Sequence, residues 1–543
     1  MIISRSTLGF ALLATMPEVI STSIPPYSEP TDFDPIAALA VRGISVEELP
    51  DTSPHIITAS YKNCTAAVSK LASIYSNQVT LLGAPDYDPW RAEFWSKYQE
   101  SAKPACIFRP KTSGDVAVAV LISRWSSCPF AVKSGGHAAM KGASSSDGGV
   151  TIDLVNLNGV DLSEDKKIAR LGSGNTWYKV YTTLEKEGLA AVGGRAADIG
   201  VGGFTLGGGI SFFASIYGWG CDNVANYEVI TATGEILQVN YQSFPDLYWA
   251  LRGGGANFGI VTRFDVETFE QGDIFAGGLA YNYTAHGPAV INAFSKFASN
   301  PDPKAATWLV VANRQGTDLL STLTMYREPN PEAPVFRDYR EIPALSNSTK
   351  IRTLADMTEQ IRSTNPKGLR EMYWTHTFKF SKDFITWFAK MFFDELRPVQ
   401  EKYQGHLPSP VFQIITKDCL ARMSRNGGNA LPLKEEEAPY MNLIYSCMWQ
   451  NEADDGAVIG LIAKVMGKAV EEGKGRGIFV DYVYMNYGSE YQDVLGSYGQ
   501  ENFGRLKGIA KKYDPRGLFQ LLMPGYFKFS GAPKKEGPGV INV

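Results

Sequence analysis

The segment Lys133-Ser134-Gly135-Gly136-His137 holds the residue types that point most directly to chemistry. Two adjacent glycines let the backbone come close to a ligand, because no Cβ stands in the way. Their N–H groups suit an anion, and the imidazole that follows adds a nucleophilic ring nitrogen. A second cluster, Gly200-Val201-Gly202-Gly203-Phe204-Thr205-Leu206-Gly207-Gly208-Gly209, follows later in the chain. The other reactive types are dispersed. His55, His137, His286, His376 and His406 form no HExxH, and Cys64, Cys106, Cys128, Cys221, Cys419 and Cys447 form no CxxC, so no metal site is expected. One disulfide, Cys64 to Cys128, is expected for a secreted chain.

The glycines fail the commoner nucleotide-binding patterns. Each GxG lacks a glycine at the last place of GxGxxG: Thr205 stands there after Gly200/Gly202, and Phe212 after Gly207/Gly209. There is no GxxxxGK[ST] and no GxSxG, which removes a P-loop and a hydrolase nucleophile elbow. What remains is a set of glycine loops with one histidine among them, able to wrap an extended dinucleotide. Flavin adenine dinucleotide has that shape.

The elements that must position these loops alternate. Strands are expected over 106–110, 129–132, 150–154, 168–172, 228–232, 236–239 and 259–266. Helices are expected over 58–76, 113–125 (capped by Ser113), 176–187 and 246–251. This reads as one α+β domain. After about residue 272 the strands lengthen and gain aromatics, over 307–312, 319–326, 372–380, 411–416, 441–449 and 478–485. Val458, Leu461, Ile462, Val465, Met466 and Ala469 mark an amphipathic helix between them. An antiparallel sheet backed by helices follows. In 372–380 one face carries Tyr373, Thr375, Thr377 and Lys379, the other Met372, Trp374, His376, Phe378 and Phe380; which lines a pocket is left open. A last helix is expected over 501–512.

Composition sets outer bounds. The 543 residues are too many for a single core, and 44% hydrophobic with 20% charged residues is ordinary for a globular protein. A formal charge of -4 with no basic stripe argues against nucleic acid. Residues 1–23 resemble a signal peptide, with Arg5 ahead of the short apolar run from Leu8 to Ala14. That run is too short to span a membrane, and no later apolar run is long enough. Sequons at Asn63, Asn282 and Asn347 agree with a secretory or extracellular location. Residues 24 to about 57 read as a weakly patterned arm.

Taken in order, the motifs resemble one family. Lys133-Ser134-Gly135-Gly136-His137 is similar to its [RK]-[SA]-G-G-H loop. Gly200-Val201-Gly202-Gly203 with Leu206-Gly207-Gly208-Gly209-Ile210 is similar to its second loop. Tyr217-Gly218 with Asp222-Asn223-Val224, and Asp246-Leu247-Tyr248-Trp249-Ala250-Leu251-Arg252-Gly253-Gly254-Gly255 with Asn257-Phe258-Gly259-Ile260-Val261-Thr262, continue the match. Tyr484-Met485-Asn486-Tyr487, Tyr498-Gly499 and Tyr513-Asp514-Pro515 close it, and Asn426-Gly427-Gly428-Asn429 resembles a loop of fungal members. The chain thus resembles, from about residue 85 to about 525, the berberine-bridge-enzyme-like flavoproteins of the p-cresol methylhydroxylase/vanillyl-alcohol oxidase superfamily.

The resemblance implies an α+β fold, with a two-lobed FAD-binding domain of the p-cresol methylhydroxylase type and an antiparallel-sheet substrate domain backed by helices. It places the arm and the start of the FAD domain at 24–100, the FAD-binding domain at 101–272, the substrate domain at 273–485 and a return to the FAD domain at 486–543. His137 inherits a covalent bond to the flavin 8α carbon. Ala196 stands where many members carry a second, cysteine attachment, so a single covalent bond is expected, and Ile199 stands where oxygen access is tuned. Implied FAD contacts are Ser134, Gly135, Gly136, His137, Ser144, Gly200, Val201, Gly202, Gly203, Gly207, Gly208, Gly209, Asp222, Gly259, Ile260, Val261 and Asn486. The family reaction takes a hydride from a C–H bond beside oxygen or nitrogen while a base takes the proton, and O2 reoxidises the flavin. Tyr484 and Tyr487 are the candidate bases. A phenol with a pKa of about 10 needs a cation or hydrogen bonds beside it, and Lys379 and His376 are candidate helpers. In a strand, Tyr484 and Asn486 share a face and Tyr487 points away. The expected activity is a small-molecule alcohol or amine oxidase of fungal secondary metabolism. A carbohydrate oxidase and a non-redox cyclase that keeps FAD as scaffold are the alternatives.

Overall fold

The computed structural model describes residues 27–50, 52 and 57–535. The expected signal peptide lies outside these residues. Three sheets organise the chain. In the first, Cys106–Phe108 and Phe130–Lys133 flank Val150–Asp153 in parallel, and Val79–Leu81 adds an antiparallel edge. The 14-residue helix Ser113–Ser126 covers it with a nearly continuous apolar surface from Val116 to Ile122. Its cap is Thr112 rather than Ser113. The Thr112 hydroxyl accepts from the Asp115 N–H while Asp115 reaches back to the cap backbone, a reciprocal box that leaves Ser113 as the first helical residue.

The second sheet is antiparallel, in the order Val160–Leu162, Ile168–Gly172, Ile260–Glu270, Val224–Ile230, Ile236–Val239. Leu189–Ala191 pairs with the far end of Ile260–Glu270. The third sheet has nine strands, among them Ile274–Asn282, Ala305–Arg314, Thr317–Tyr326, Arg370–Lys379, Leu407–Ile415 and Tyr440–Trp449. Helices Tyr283–Ser299, Lys382–Leu396 and Asp455–Gly475 back one of its faces. Phe294, Phe388, Phe392, Ile462 and Met466 close on Met372, Trp374, Phe378, Phe412 and Leu443 there. The alternation of 370–379 is thereby resolved: the face with Met372 and Trp374 packs on helices, and Tyr373 looks the other way.

One expected strand is corrected. The strand expected over 478–485 is only Phe479–Val480, paired with Thr377 and Phe378. Beyond it the chain leaves the sheet, and Tyr482, Tyr484, Tyr498 and Phe527 join the core built around the second sheet. The described part of the N-terminal arm, for its part, is packed on the body of the protein. Glu29 pairs with Arg124 at 2.6 Å, both side chains out of solvent, and Tyr27 stacks on Tyr513. The expected Cys64–Cys128 disulfide is present, joining helix Cys64–Ile74 to the lead-in of Phe130–Lys133. Among the described residues no helix is long and apolar enough to cross a membrane.

Candidate active site

The glycine loops meet at one crossing. A methyl group on Gly135 would lie 2.4 Å from the Gly200 nitrogen, and one on Gly200 would lie 2.2 Å from the Gly135 nitrogen. Neither position tolerates a side chain, because backbone meets backbone. Ser134 fastens the crossing by donating to the Ser173 carbonyl at 2.5 Å and accepting from Gly202 N–H at 3.1 Å. Gly207 is held for a different reason: a Cβ there would sit 2.0 Å from Asn486 Oδ1.

A cleft of about 1400 Å3, counting its mouth, opens between these loops and the third sheet. Its lining runs from both glycine loops across to Tyr373 of the third sheet. Ser134, Gly135, Gly136, His137, Ser144, Gly200, Gly202, Gly203, Gly207, Gly259, Ile260, Val261, Asn486, Tyr484 and Tyr487 all line it, as does Ile199. Val201, Gly208, Gly209 and Asp222 do not. Val201 points into the core, and Gly208 and Gly209 carry positive φ in the turn behind the wall. Asp222 is sealed against Arg252 at 2.8 Å and Asn429 at 2.7 Å, so it holds the fold together from behind.

The two candidate tyrosines are on a turn rather than a strand. Tyr484 precedes the 3-10 turn Met485–Tyr487, which brings both rings to the cleft, 4.9 Å apart and edge to face. The Tyr484 oxygen accepts from Gly209 N–H, Ile210 N–H and Asn486 Nδ2, each at 3.0 Å. Burial pushes this phenol far above the ordinary range. The Tyr487 oxygen instead accepts from Arg195 Nη2 and, at 3.4 Å, from Gln413 Nε2. Arg195 is held in turn by Gln413 Oε1 at 3.0 Å and lies 4.5 Å over the Trp308 ring. Trp308 and Gln413 are register partners on adjacent strands, so the third sheet sets the guanidinium's place.

The expected helpers are elsewhere. Lys379 pairs with Glu437 at 2.9 Å. His376 accepts from Trp374 Nε1 at 3.3 Å, and burial with Lys474 nearby pushes it down to about 3, so it stays neutral. Sequence reasoning missed Arg195, Gln413 and Trp95, and left open whether the face with Tyr373 lines the cleft. The one local signal is that Arg195 directly precedes Ala196, already singled out by the missing cysteine.

His137 lines the cleft with its ring stacked on Trp95, 4.3 Å between centroids and 11° from parallel. Its Nε2 lies 3.4 Å from Asp198 Oδ1. Among the sequons, Asn347 is exposed, while Asn63 and Asn282 are half-buried and Asn282 caps helix Tyr283–Ser299.

Comparison with known proteins agrees with this geometry. Residues 104–240 match a family described as an FAD binding domain. An FAD-dependent monooxygenase of Cochliobolus heterostrophus is 33% identical over 500 residues, 88% of this chain and 96% of the relative. Among solved structures, 6-hydroxy-D-nicotine oxidase from Arthrobacter nicotinovorans superimposes with a TM-score of 0.69 at 20% identity, over 81% of this chain and 96% of that one. A variant of berberine bridge enzyme superimposes with a TM-score of 0.70 at 16% identity, over 86% of this chain and 100% of that one. At such identities the structural likeness is one of fold. With the glycine crossing, the cleft and this relative in agreement, the chain belongs to the family of fungal FAD-dependent oxidoreductases that the relative represents, its fold is the one berberine bridge enzyme has, and FAD is its cofactor.

Proposed function

We propose that the protein is an oxidase of a small hydroxyl-bearing organic substrate, with FAD bonded to His137 and O2 as electron acceptor. The observation that carries this reading is the contact of Arg195 with the Tyr487 oxygen across the cleft. The cleft fits the cofactor: the Gly135–Gly200 crossing leaves bare backbone along its wall, and His137 lines it beside that crossing. FAD supplies a two-electron acceptor for a hydride. The chain's own residues do the rest. Tyr487 takes the hydroxyl proton of the substrate, and Arg195 donates to the same phenol oxygen and holds it in place. Gln413 fixes the guanidinium, and Tyr484 with Asn486 pins the second glycine loop. Tyr373 and Trp95 form the aromatic wall between His137 and Tyr487, with ring centroids 5.3 and 5.8 Å apart along the row.

An alcohol or phenol suits this cleft better than an amine. Arg195 is the one permanently charged side chain among the described lining residues, and no carboxylate is among them. An ammonium group would face that guanidinium with nothing to neutralise it. Ala196 provides no second attachment, so the tether is single. The Cys64–Cys128 disulfide supports an oxidising, secretory location. The relative from Cochliobolus heterostrophus, itself an FAD-dependent enzyme, supports a redox role for the flavin.

The test is anaerobic mixing of the purified yellow protein with a panel of benzylic and allylic alcohols and the matching amines. Bleaching by alcohols, followed on aeration by one H2O2 per oxidised substrate, is the expected result. Incorporation of labelled oxygen from 18O2 into product would replace the oxidase with a monooxygenase, and turnover without bleaching would replace it with a cyclase.

A further inference from the structure

We propose that Asp198 is the positioning residue of the flavin tether: it holds the Nε2 edge of His137, so that Nδ1 is the atom left to bond the flavin. This rests on the reading of His137 as the attachment point.

Three features lead to it. The first is register. Gly135 and Gly200 touch through their backbones, and His137 and Asp198 each stand two residues from that contact. The Asp198 carbonyl oxygen itself lies 3.1 Å from where a Cβ on Gly135 would be. The crossing that excludes side chains at both glycines therefore also sets imidazole against carboxylate.

The second is the absence of any other partner. Both Asp198 carboxylate oxygens are buried without a hydrogen bond among the described residues, and so is His137 Nε2. At 3.4 Å they are at ion-pair range rather than in a full hydrogen bond. A desolvated carboxylate is unfavourable unless a donor compensates it, and the imidazole edge is the side chain in reach. Burial acts to raise the Asp198 carboxyl, but His137, with the local backbone and Lys367 beyond, outweighs it and holds the group below the usual range. Tyr373 and Arg362 are the other titratable groups that sense this carboxylate.

The third is the ring's other contact. Trp95 covers one face of the imidazole, and its backbone N–H bonds the Gly136 carbonyl at 3.4 Å. With one face on Trp95 and the Nε2 edge on Asp198, the remaining nitrogen is Nδ1.

A carboxylate at Nε2 serves attachment in two ways. It keeps the Nε2–H tautomer, which leaves the Nδ1 lone pair free, and it neutralises the positive charge the ring acquires when Nδ1 becomes bonded to carbon. Attachment forms the Nδ1–C bond and breaks one C–H bond of the 8α methyl group. One proton leaves carbon and one leaves Nε2; with the two electrons released they reduce O2 to H2O2.

The experiment compares full-length wild type with Asp198→Asn, Asp198→Ala, Asp198→Glu and His137→Ala. Three quantities are read for each: total flavin per chain by absorbance, flavin surviving denaturation by in-gel fluorescence, and the melting midpoint. In the expected result, wild type keeps its flavin on denaturation and His137→Ala loses it. Asp198→Asn and Asp198→Ala retain total flavin and melting midpoint but lose at least tenfold in the covalent fraction, and Asp198→Glu recovers part of it. Covalent fractions equal to wild type in the Asn and Ala variants would overturn the proposal. So would a parallel loss of total flavin and melting midpoint in both, which is what a merely structural residue produces. Release of flavin from wild type would instead overturn the His137 reading, and the proposal with it.

Discussion

Tyr484 and Tyr487 stand three positions apart and do different work. Tyr484 is saturated by two backbone N–H groups and an asparagine amide, so its oxygen is an anchor for the turn at Gly209 and Ile210. Tyr487 meets a guanidinium and faces the cleft. Tyr487→Phe should therefore slow anaerobic flavin reduction about 10²–10⁴-fold, the usual range for a lost general base, with little change in melting midpoint. Arg195→Gln should slow the same step in stopped-flow traces. Tyr484→Phe leaves two buried N–H groups without an acceptor, and it should lower stability by about 1–3 kcal/mol while sparing more of the reductive rate. Equal rate losses for both tyrosines would merge the two roles.

At the scale of elements, local signals were read well where an element is held by its own sequence. Helix Ser113–Ser126 and strands Phe130–Lys133 and Val150–Asp153 fall near the expected bounds because apolar runs end at Ser, Gly and Pro residues there. The expected strand over 478–485 failed because its aromatic alternation serves a different end. Tyr482 and Tyr484 are core anchors of the flavin lobe, and only Phe479–Val480 has a neighbour to pair with. The disulfide belongs to this scale as well. It closes a loop of 64 residues between helix Cys64–Ile74 and the strand at Phe130. Such a loop is worth roughly 4 kcal/mol in the chain-entropy account, toward the upper end of what disulfides deliver. The double variant Cys64→Ser with Cys128→Ser should unfold at lower denaturant by about 2–4 kcal/mol, and dithiothreitol should reproduce that loss in wild type but not in the variant.

For the molecule as a whole, the two lobes meet along the face of the third sheet opposite its helices, and one group buried beside that junction makes stability depend on pH. Glu371 is 1% exposed, neither carboxylate oxygen has a hydrogen-bond partner among the described residues, and burial pushes it from 4.5 up to about 9. The folded protein thus keeps this proton while the unfolded chain releases it. The sign follows: the stability linked to Glu371 is fully present below about pH 4.5 and is lost as pH rises toward 9, by an amount on the order of a few kcal/mol. Glu371→Gln should raise the melting midpoint at pH 8 by more than at pH 5. An equal shift at both would show that the buried acid does not titrate in this window.

Sequence alone determined the glycine loops that line the cleft, the family, the disulfide and the change of texture near residue 272. These are short-range facts: a motif, a periodicity or a single residue type encodes each. Tertiary structure alone decided which face of 370–379 looks into the cleft, that Asp222 sits behind its wall, and that Tyr487 has a cation at all. Arg195 and Tyr487 are 292 positions apart. Asp198 and His137 come from separate loops that meet at Gly135 and Gly200. No local pattern records such pairs, because they exist only once two lobes with their own cores have docked and the chain has returned from one to the other.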